Sequence, residues 1–293
     1  MTRPHGIKSV PLPTPTRKNN ALAQQMTVSM QTGTANQDSG AQPASQITLN
    51  GVTFGYGDTP ILREFDWRIH AGESWSILGP SGSGKTTLLY LLAGLRRPQA
   101  GTIKLRGDVL NGPSRDVGLM LQDYGLLPWL NAARNVSIGL KIRGVGRSDR
   151  HRIREMWLER MQINHLAKQY PARMSGGQRQ RVALARVLAL QTDILLLDEP
   201  LSAVDELTRE RLQKTLREIV RELGVTMLMV THSVEEAALL TDNVLLFPEQ
   251  GALHTPTVLH NPLSDDLEAG FAPERDDPVF QRFCKQIRTE LGL

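Results

Sequence analysis

Residues 79–86 read Gly79-Pro80-Ser81-Gly82-Ser83-Gly84-Lys85-Thr86 and match the pattern G-x-x-x-x-G-K-[ST] at every position. An apolar stretch, residues 74–78, runs directly into this segment, and we expect residues 86–92 to open a helix after it. The glycines let successive backbone N–H groups turn inward around phosphate oxygens, and the positive end of the helix faces the same anion. The stretch therefore predicts a phosphate-binding loop in an α/β fold, with a mostly parallel sheet and flanking helices.

Two side chains of this loop have specific chemical tasks. Lys85 places a positive charge on the β- and γ-phosphates of a nucleotide, and the Thr86 hydroxyl is an oxygen ligand for Mg²⁺. Every residue from 79 to 86, and Thr87 after them, is therefore a candidate nucleotide-binding residue. Kinases, GTPases and motor proteins share this loop, so the rest of the chain has to separate these classes.

A pair of carboxylates follows an apolar run at residues 194–197. A continuous apolar run is typical of a parallel strand buried on both faces, and ligands bind at the carboxyl ends of such strands. We expect Asp198 to hold Mg²⁺, mainly through water. Glu199 is expected near the γ-phosphate, where it would act as general base toward the attacking water.

A second anion-binding helix start is predicted at Ser175-Gly176-Gly177-Gln178, because a Ser-Gly-Gly turn there precedes a helical segment, residues 178–190. The chain has only one complete phosphate loop of the first kind. The second site therefore suggests that two subunits share a nucleotide.

The composition excludes several other classes of protein. The chain has 293 residues, of which 40% are apolar and 22% charged, so it can bury a large core. The single cysteine, Cys284, excludes a disulfide framework and is expected to be inert. Four basic residues and one acidic residue fall in residues 1–45, so this tail holds most of the net charge of +4. No basic stripe, and no nucleic-acid partner, is expected on the rest.

In their order along the chain, these motifs resemble those of the ATP-binding cassette (ABC) ATPases over roughly residues 46–250. The matches are Tyr56 where an aromatic ring stacks on adenine, residues 79–86 as Walker A, Gln122 as the Q-loop glutamine, residues 175–178 as the signature, residues 194–199 as Walker B, residues 202–205 ending in Asp205 as the D-loop, and His232 as the switch histidine. Met174 and Val204 each replace the usual leucine, and both exchanges keep the side chain apolar.

The resemblance implies a homodimer in which ATP and Mg²⁺ lie between the phosphate loop of one subunit and the signature of the other. The catalytic residues it implies are Glu199, His232 and Gln122. The implied Mg²⁺ ligands are Thr86, Gln122 and Asp198. The nucleotide-binding set also includes Tyr56, Gln178 and Asp205. The implied fold is a P-loop core with an N-terminal antiparallel β subdomain and an α-helical subdomain.

Two kinds of ABC ATPase remain open: the motor subunit of a membrane importer, and a soluble ATPase in a non-transport process. The interval between Gln122 and Ser175 is too short for the coiled coil of the DNA-repair type, and translation-type members carry two cassettes. Residues 123–130 resemble the "LLPW" stretch of bacterial importers for nitrate, taurine, alkanesulfonates and pyrimidine thiamine precursors, as do residues 231–237. Alternatively, Pro128 and Trp129 only pack a helix start.

The importer interpretation implies a permease in the membrane and a periplasmic or lipid-anchored solute-binding protein as partners. It places the chain at the cytoplasmic face of the inner (plasma) membrane, where the helical subdomain docks on the permease and the cleft beside it accepts a helix. The transported solute cannot be read from this chain, because the ATPase does not touch it.

The predicted domain organisation has three parts: a disordered tail over residues 1–45, an ATPase domain over 46–270 and an amphipathic helix within 271–293. The helical subdomain is expected at about residues 123–178. It contains a helix over 132–142 and a second helix that Ser148 and Asp149 could cap. Residues 248–270 are expected to be loop-rich.

Overall fold

Two sheets and a set of flanking helices make up the computed structural model, which describes residues 45–247, 257–264 and 275–293. The strands are β1 (Ser45–Tyr56), β2 (Thr59–His70), β3 (Ser74–Leu78), β4 (Ala100–Leu105), β5 (Asp108–Val109), β6 (Val117–Met120), β7 (Ile194–Asp198), β8 (Thr226–Val230), β9 (Asn243–Leu246) and β10 (Thr257–His260). The helices are α1 (Lys85–Leu92), α2 (Ala132–Ile142), α3 (Arg147–Arg160), α4 (Gly176–Leu188), α5 (Glu206–Leu223), α6 (Val234–Leu240) and α7 (Pro278–Glu290), with 3₁₀ turns at Asn164–Leu166 and Pro171–Arg173.

The first sheet is antiparallel, with the strand order β2-β1-β4-β5. In the second half of β2, from Phe65 to Ile69, buried and exposed residues alternate, as expected of a sheet with one face on the core. β1 continues through Tyr56, so this residue lies at the end of a strand. The expected antiparallel β subdomain is confirmed.

The second sheet has the order β10-β9-β3-β8-β7-β6, and its strands are parallel except for β10. All five residues of β3, β7 and β8 are buried, which explains why these segments are nearly continuous apolar runs. The three strands are adjacent and parallel, so the residues that follow them meet at one edge of the sheet. The prediction of a mostly parallel core is confirmed.

Two apolar clusters lie on the two sides of this sheet. The first sheet and α1 pack in one cluster, which contains the fully buried Phe65. The helices α2 to α7 contribute to the other, where Trp157 is fully buried. The helical region beyond residue 123 thus has a continuous core with the parallel sheet.

The helix α2 begins and ends where the sequence predicts, and the Asn131 side chain accepts a hydrogen bond from the Arg134 N–H at its start. The capping prediction for the next helix is wrong. Gly146 occupies the cap position of α3, and no side chain caps it, so Ser148 and Asp149 lie inside the first turn. There the Asp149 carboxylate still favours the positive end of the helix dipole.

The region predicted to be loop-rich, residues 248–270, contains a strand. β10 pairs antiparallel with β9, and Asn261, which follows it, donates side-chain hydrogen bonds to the carbonyls of Ala238 (2.9 Å) and Thr241 (2.7 Å). The disordered-tail prediction falls outside the described residues, except for Ser45, which starts β1. Among the described residues, no helix combines the length and apolar character needed to cross a bilayer.

The C-terminal helix α7 packs against α6, as the spacing of its apolar residues predicts. Phe280, Phe283 and Ile287 are buried, together with Cys284. The helix therefore completes the core of the cassette with its apolar face.

Cys284 is expected to resist thiol reagents in the native protein, because burial raises the pKa of its thiol to about 11 and the thiolate is the reactive form. The rate of reaction with a disulfide reagent at pH 8 should rise by at least about 100-fold on unfolding, when the pKa returns to about 8.5. Cys284→Ser protein is the control, since it should give no signal in either state. A native rate equal to the unfolded rate would show that the α7 packing is wrong.

Candidate nucleotide-binding and catalytic site

The loop between β3 and α1 has the geometry that the G-x-x-x-x-G-K-T pattern predicts. The Lys85 ammonium curls back and donates hydrogen bonds to the carbonyls of Gly79 (2.9 Å) and Pro80 (2.6 Å). Gly84 has φ of 105°, and a Cβ there would lie 2.2 Å from Ile61 Cγ2, so only glycine fits this approach. Backbone conformation and close packing therefore fix the position of the loop around its lysine.

The charge of Lys85 lies in a partly dehydrated environment. Burial lowers the pKa of its ammonium, while the negative charges of Glu199 and Asp198 oppose this effect. The exposed fraction of Lys85 is 5%. A cation in such a place interacts more strongly with an incoming phosphate than a cation in bulk water would.

Asp198 is the last residue of β7 and lies next to this loop, and only one of its carboxylate oxygens is hydrogen-bonded among the described residues. The Thr86 hydroxyl donates to Asp198 Oδ2 at 2.9 Å, and Asp198 Oδ1 is buried with no hydrogen-bond partner among the described residues. Burial raises the pKa of this carboxyl, opposed by the hydrogen bond from Thr86. A hydroxyl and an open carboxylate oxygen side by side are hard ligands that suit Mg²⁺.

The chain supplies only part of such a coordination shell. No group of three or more His, Cys, Asp or Glu side chains in the described residues could hold a metal ion. In nucleotide sites in general, Mg²⁺ keeps several waters and takes its remaining ligands from substrate phosphates.

The three residues predicted to be catalytic, Glu199, His232 and Gln122, contact one another beside Asp198. His232 Nε2 lies 2.8 Å from Glu199 Oε1, and the Gln122 side-chain amide donates to the same oxygen at 3.3 Å. Glu199 has φ of 49°, a left-handed conformation that is uncommon for a residue with a side chain. Its N–H donates to the Val230 carbonyl at 2.9 Å, which holds the strained residue against the end of β8. Strain of this kind is found at functional sites.

A cleft of about 320 Å³ opens over these groups. The predicted site residues that line it are Tyr56, Ser81, Gly82, Gly84, Lys85, Thr86, Thr87, Gln122, Glu199 and His232. Tyr56 is 47% exposed, packs edge-on against Phe54 with 5.3 Å between ring centroids, and has its hydroxyl 3.5 Å from Thr87 Oγ1. A ring so exposed at the mouth of the cleft can stack on a planar base.

The signature residues lie elsewhere on the chain. Ser175 and Gln178 form a capping box at the start of α4, and a Cβ on Gly177 would lie 3.0 Å from Val204 Cγ1. Asp205 caps α5, where hydrogen bonding to Thr208 lowers the pKa of its carboxyl. None of these residues lines the cleft described above. One chain therefore presents a phosphate loop and a separate helix N-terminus.

Two buried polar residues support the site and were missed by the sequence analysis. The Gln180 amide donates to the Glu199 carbonyl (2.9 Å), and its oxygen accepts from the Ala203 N–H (3.2 Å). Gln180 is fully buried on the same helical face as Ala183 and Leu184. A polar residue on an apolar face was the signal that could have identified it.

Glu236 is the second such residue, with an exposure of 5%. It accepts a 2.6 Å hydrogen bond from the hydroxyl of Thr231, the neighbour of His232, and lies 3.8 Å from Arg209 Nε. Arg209 donates in turn to the Val204 carbonyl at 3.1 Å. The pattern S-x-x-E from Ser233 is typical of a capping box. It therefore does not indicate that Glu236 and Arg209 connect the segment that carries His232 to the segment that carries Asp205.

Comparison with known proteins agrees with this geometry. Residues 62–202 match the family model described as ABC transporter. The taurine import ATP-binding protein TauB of Pseudomonas aeruginosa is 45% identical over 206 residues, which are 69% of this chain and 78% of that protein. The chain belongs to the ABC transporter family. It is an ABC ATPase that binds and hydrolyses ATP.

Other proteins similar to this ABC ATPase also support its membership of the family. TauB of Escherichia coli is 41% identical over 65% of this chain and 75% of that protein. A solved dimeric structure of the ATP-binding cassette MJ0796, in a post-hydrolysis state with ADP and Pi, is 30% identical with a TM-score of 0.64 and covers 71% of this chain and 96% of that one. The ABC transporter protein cbiO1 of Clostridium perfringens is 26% identical with a TM-score of 0.65, covering 78% and 92%.

Proposed function

We propose that this ABC ATPase supplies energy to a bacterial importer for a small sulfonate-type solute such as taurine, or for a related anion such as nitrate. The observation that carries the proposal is the cleft lined by Lys85, Glu199 and His232, with Asp198 hydrogen-bonded to its Thr86, in a chain 41–45% identical to TauB proteins. The alternative, a soluble ABC-type ATPase in a non-transport process, has no comparable support.

The catalytic assignment follows from the contacts of Glu199. Glu199 lines the same cleft as Lys85, where its carboxylate could take a proton from a water that attacks the γ-phosphate. His232 and Gln122 both contact the same carboxylate oxygen and would orient it and the water. Tyr56 would stack on the adenine, while residues 79–87, most of which line the cleft, would surround the phosphates.

Mg²⁺ would be held by Thr86 and Asp198, with Gln122 as a third ligand. When bound, Mg²⁺ would neutralise charge that develops on the phosphates. The free Oδ1 of Asp198 supports this assignment, because a buried carboxylate oxygen without a partner is costly.

A homodimer would complete the site. Residues 175–178 form a helix N-terminus with two glycines, and this anion-binding end is outside the cleft of its own chain. A second copy could place the same residues and Asp205 over the nucleotide. The dimeric form of the MJ0796 cassette supports this arrangement.

The remaining partners would be a permease in the inner membrane, on whose cytoplasmic face the dimer sits, and a periplasmic or lipid-anchored solute-binding protein. Trp129 is 68% exposed and Ile142 is 75% exposed, both at the helical subdomain. The alternative that Trp129 packs a helix start as a core residue is therefore wrong. Large apolar side chains that are this exposed suit an interface.

Trp129→Ala is expected to weaken permease binding by roughly 30-fold in Kd, because an aromatic anchor contributes about 2 kcal/mol to an interface. Basal ATPase activity and the melting temperature of the isolated subunit should change little, since the side chain has no packing to lose. Co-purification with the permease encoded beside this gene measures the binding. Leu293→Ala, at a position 82% exposed, is the matched control.

The same experiment tests the function. Wild-type protein that binds ribosomes or nucleic acid, with no membrane partner, would support the non-transport alternative. Solute-dependent ATPase activity of the reconstituted complex, with taurine, an alkanesulfonate and nitrate tested separately, would establish the transporter and its solute class.

A further inference from the structure

Gln180, near the start of α4, directs all of its hydrogen bonds to one short segment of the chain. Its Nε2 donates to the Glu199 carbonyl at 2.9 Å and to Ser202 Oγ at 3.4 Å, and its Oε1 accepts from the Ala203 N–H at 3.2 Å. All three partners lie within residues 199–203, and the side chain is fully buried. One amide therefore holds both the backbone of Glu199 and the turn that follows it.

The backbone of Glu199 depends on such support because its conformation is strained. A left-handed residue with a side chain, here with φ of 49°, persists only where its surroundings fix it. The Glu199 N–H donates to the Val230 carbonyl at 2.9 Å, and its carbonyl accepts from Gln180 and, at 3.2 Å, from the Ser202 hydroxyl. Ser202 belongs to the same turn as Glu199, whereas β8 and α4 are separate elements that hold this turn in place.

The helix α4 is itself fixed to the segment that follows Gln122. Arg186, further along α4, donates to the carbonyls of Tyr124 (2.7 Å) and Gly125 (2.6 Å). One helix thus holds the backbone next to Gln122 and the backbone of Glu199, whose side chains contact each other at 3.3 Å.

A buried amide is not needed to fill this position of the core. The neighbouring buried residues of α4, Val182, Ala183 and Leu184, are apolar. An apolar side chain of the same length would avoid the cost of removing an amide from water. Hydrogen bonds have a direction that apolar packing lacks, so Gln180 meets a demand on the geometry of residues 199–203.

We propose that Gln180 is a positioning residue for ATP hydrolysis, a proposal that rests on the assignment of Glu199 as general base above. Through the Glu199 backbone it keeps the carboxylate 2.8 Å from His232 Nε2 and in contact with Gln122. Without Gln180 the strained backbone relaxes, and the carboxylate moves away from the attacking water. A displacement of about 1 Å can lower a rate by about 100-fold.

The test compares Gln180→Met with Gln213→Met. Methionine keeps the length of the glutamine side chain and removes its hydrogen bonds. Gln213 is the matched control because it is a buried glutamine of α5, 4% exposed, with no hydrogen bond to residues 199–203 within the described ranges. Steady-state ATP hydrolysis gives kcat and KM for each protein. The melting temperature measures the loss of stability that both exchanges share.

Gln180→Met protein is expected to lose kcat by about 10- to 100-fold. Its KM for ATP should change less than about two-fold, because Gln180 does not line the nucleotide cleft. Its melting temperature should fall no further than that of Gln213→Met protein. Gln180→Asn and Gln213→Asn repeat the comparison with an amide one methylene too short for these bonds, so that a methionine variant that fails to fold leaves a second test.

A double variant shows whether Gln180 acts through Glu199. In Glu199→Gln protein, the further change Gln180→Met should not lower the residual hydrolysis, because residues that act through one group are not additive. The double variant should still form the ATP-bound dimer in size-exclusion chromatography.

Other results would overturn the proposal. Wild-type kcat in Gln180→Met protein would do so and leave the ATPase and importer functions intact. An equal fall of kcat in the two methionine variants, or a further fall in the Glu199→Gln background, would reduce Gln180 to packing. Loss of the ATP-bound dimer in the double variant alone would assign Gln180 to the shape of the signature. Rapid hydrolysis by Glu199→Gln protein would instead contradict the assignment of the base itself.

Discussion

Glu199→Gln protein is expected to keep ATP binding and lose ATP hydrolysis by a factor of about 10² to 10⁴, the range that general base catalysis contributes. The amide keeps the size of the side chain and can still contact His232 and Gln122, but it cannot accept the proton of the attacking water. Glutamine tolerates the left-handed backbone at this position about as well as glutamate does, so folding should be spared. The mutant should accumulate as an ATP-bound dimer in size-exclusion chromatography.

Steady-state phosphate release and nucleotide binding measure the two properties separately. Glu290→Gln is the matched control, because this exposed glutamate of α7 has no ion pair within the described residues. Rapid hydrolysis by the Glu199→Gln protein would show that another group activates the water. Loss of ATP binding together with hydrolysis would mean that the change had disturbed the loop.

Lys85→Ala protein is expected to lose ATP hydrolysis by at least about 100-fold, since removal of one preorganised electrostatic contact costs this much in other enzymes. Affinity for ATP should fall as well, because the phosphates lose the cation that the loop holds at 5% exposure. The free loop also loses two hydrogen bonds, from Lys85 to the carbonyls of Gly79 and Pro80.

A melting curve distinguishes loss of function from loss of fold, and binding is measured by titration calorimetry with ATP. Lys214→Ala, which removes an exposed lysine of α5, is the control and should behave like wild type. Hydrolysis near the wild-type rate in Lys85→Ala protein would disprove the assignment of residues 79–86 as the phosphate loop.

Local features of the sequence were enough to predict the loop, the buried strands β3 and β7 and most of the helices. The phosphate loop depends on backbone requirements met within a few residues, such as the glycine at φ of 105° at position 84. Buried parallel strands are recognisable because both of their faces demand apolar residues. The helix α2 was predicted correctly for the same reason, since its apolar face and its Asn131 cap are both local.

Errors arose where a contact from a distant part of the chain outweighed the local pattern. Residues 257–260 pair with β9, and Asn261 after them donates to the carbonyls of Ala238 in α6 and of Thr241, which follows α6. Glu236 was missed because its distant partner, Arg209, lies on another helix. Nothing within a short window of sequence encodes either outcome.

The sequence by itself therefore determined which chemical groups this ATPase has and in what order they occur. Only the tertiary structure decided which of them meet. Gln122, Glu199 and His232 come together because β6, β7 and β8 are neighbours in one sheet, whereas the signature lies outside the cleft of its own chain. Such contacts follow from strand order and helix packing, whose energies depend on residues far apart in the chain.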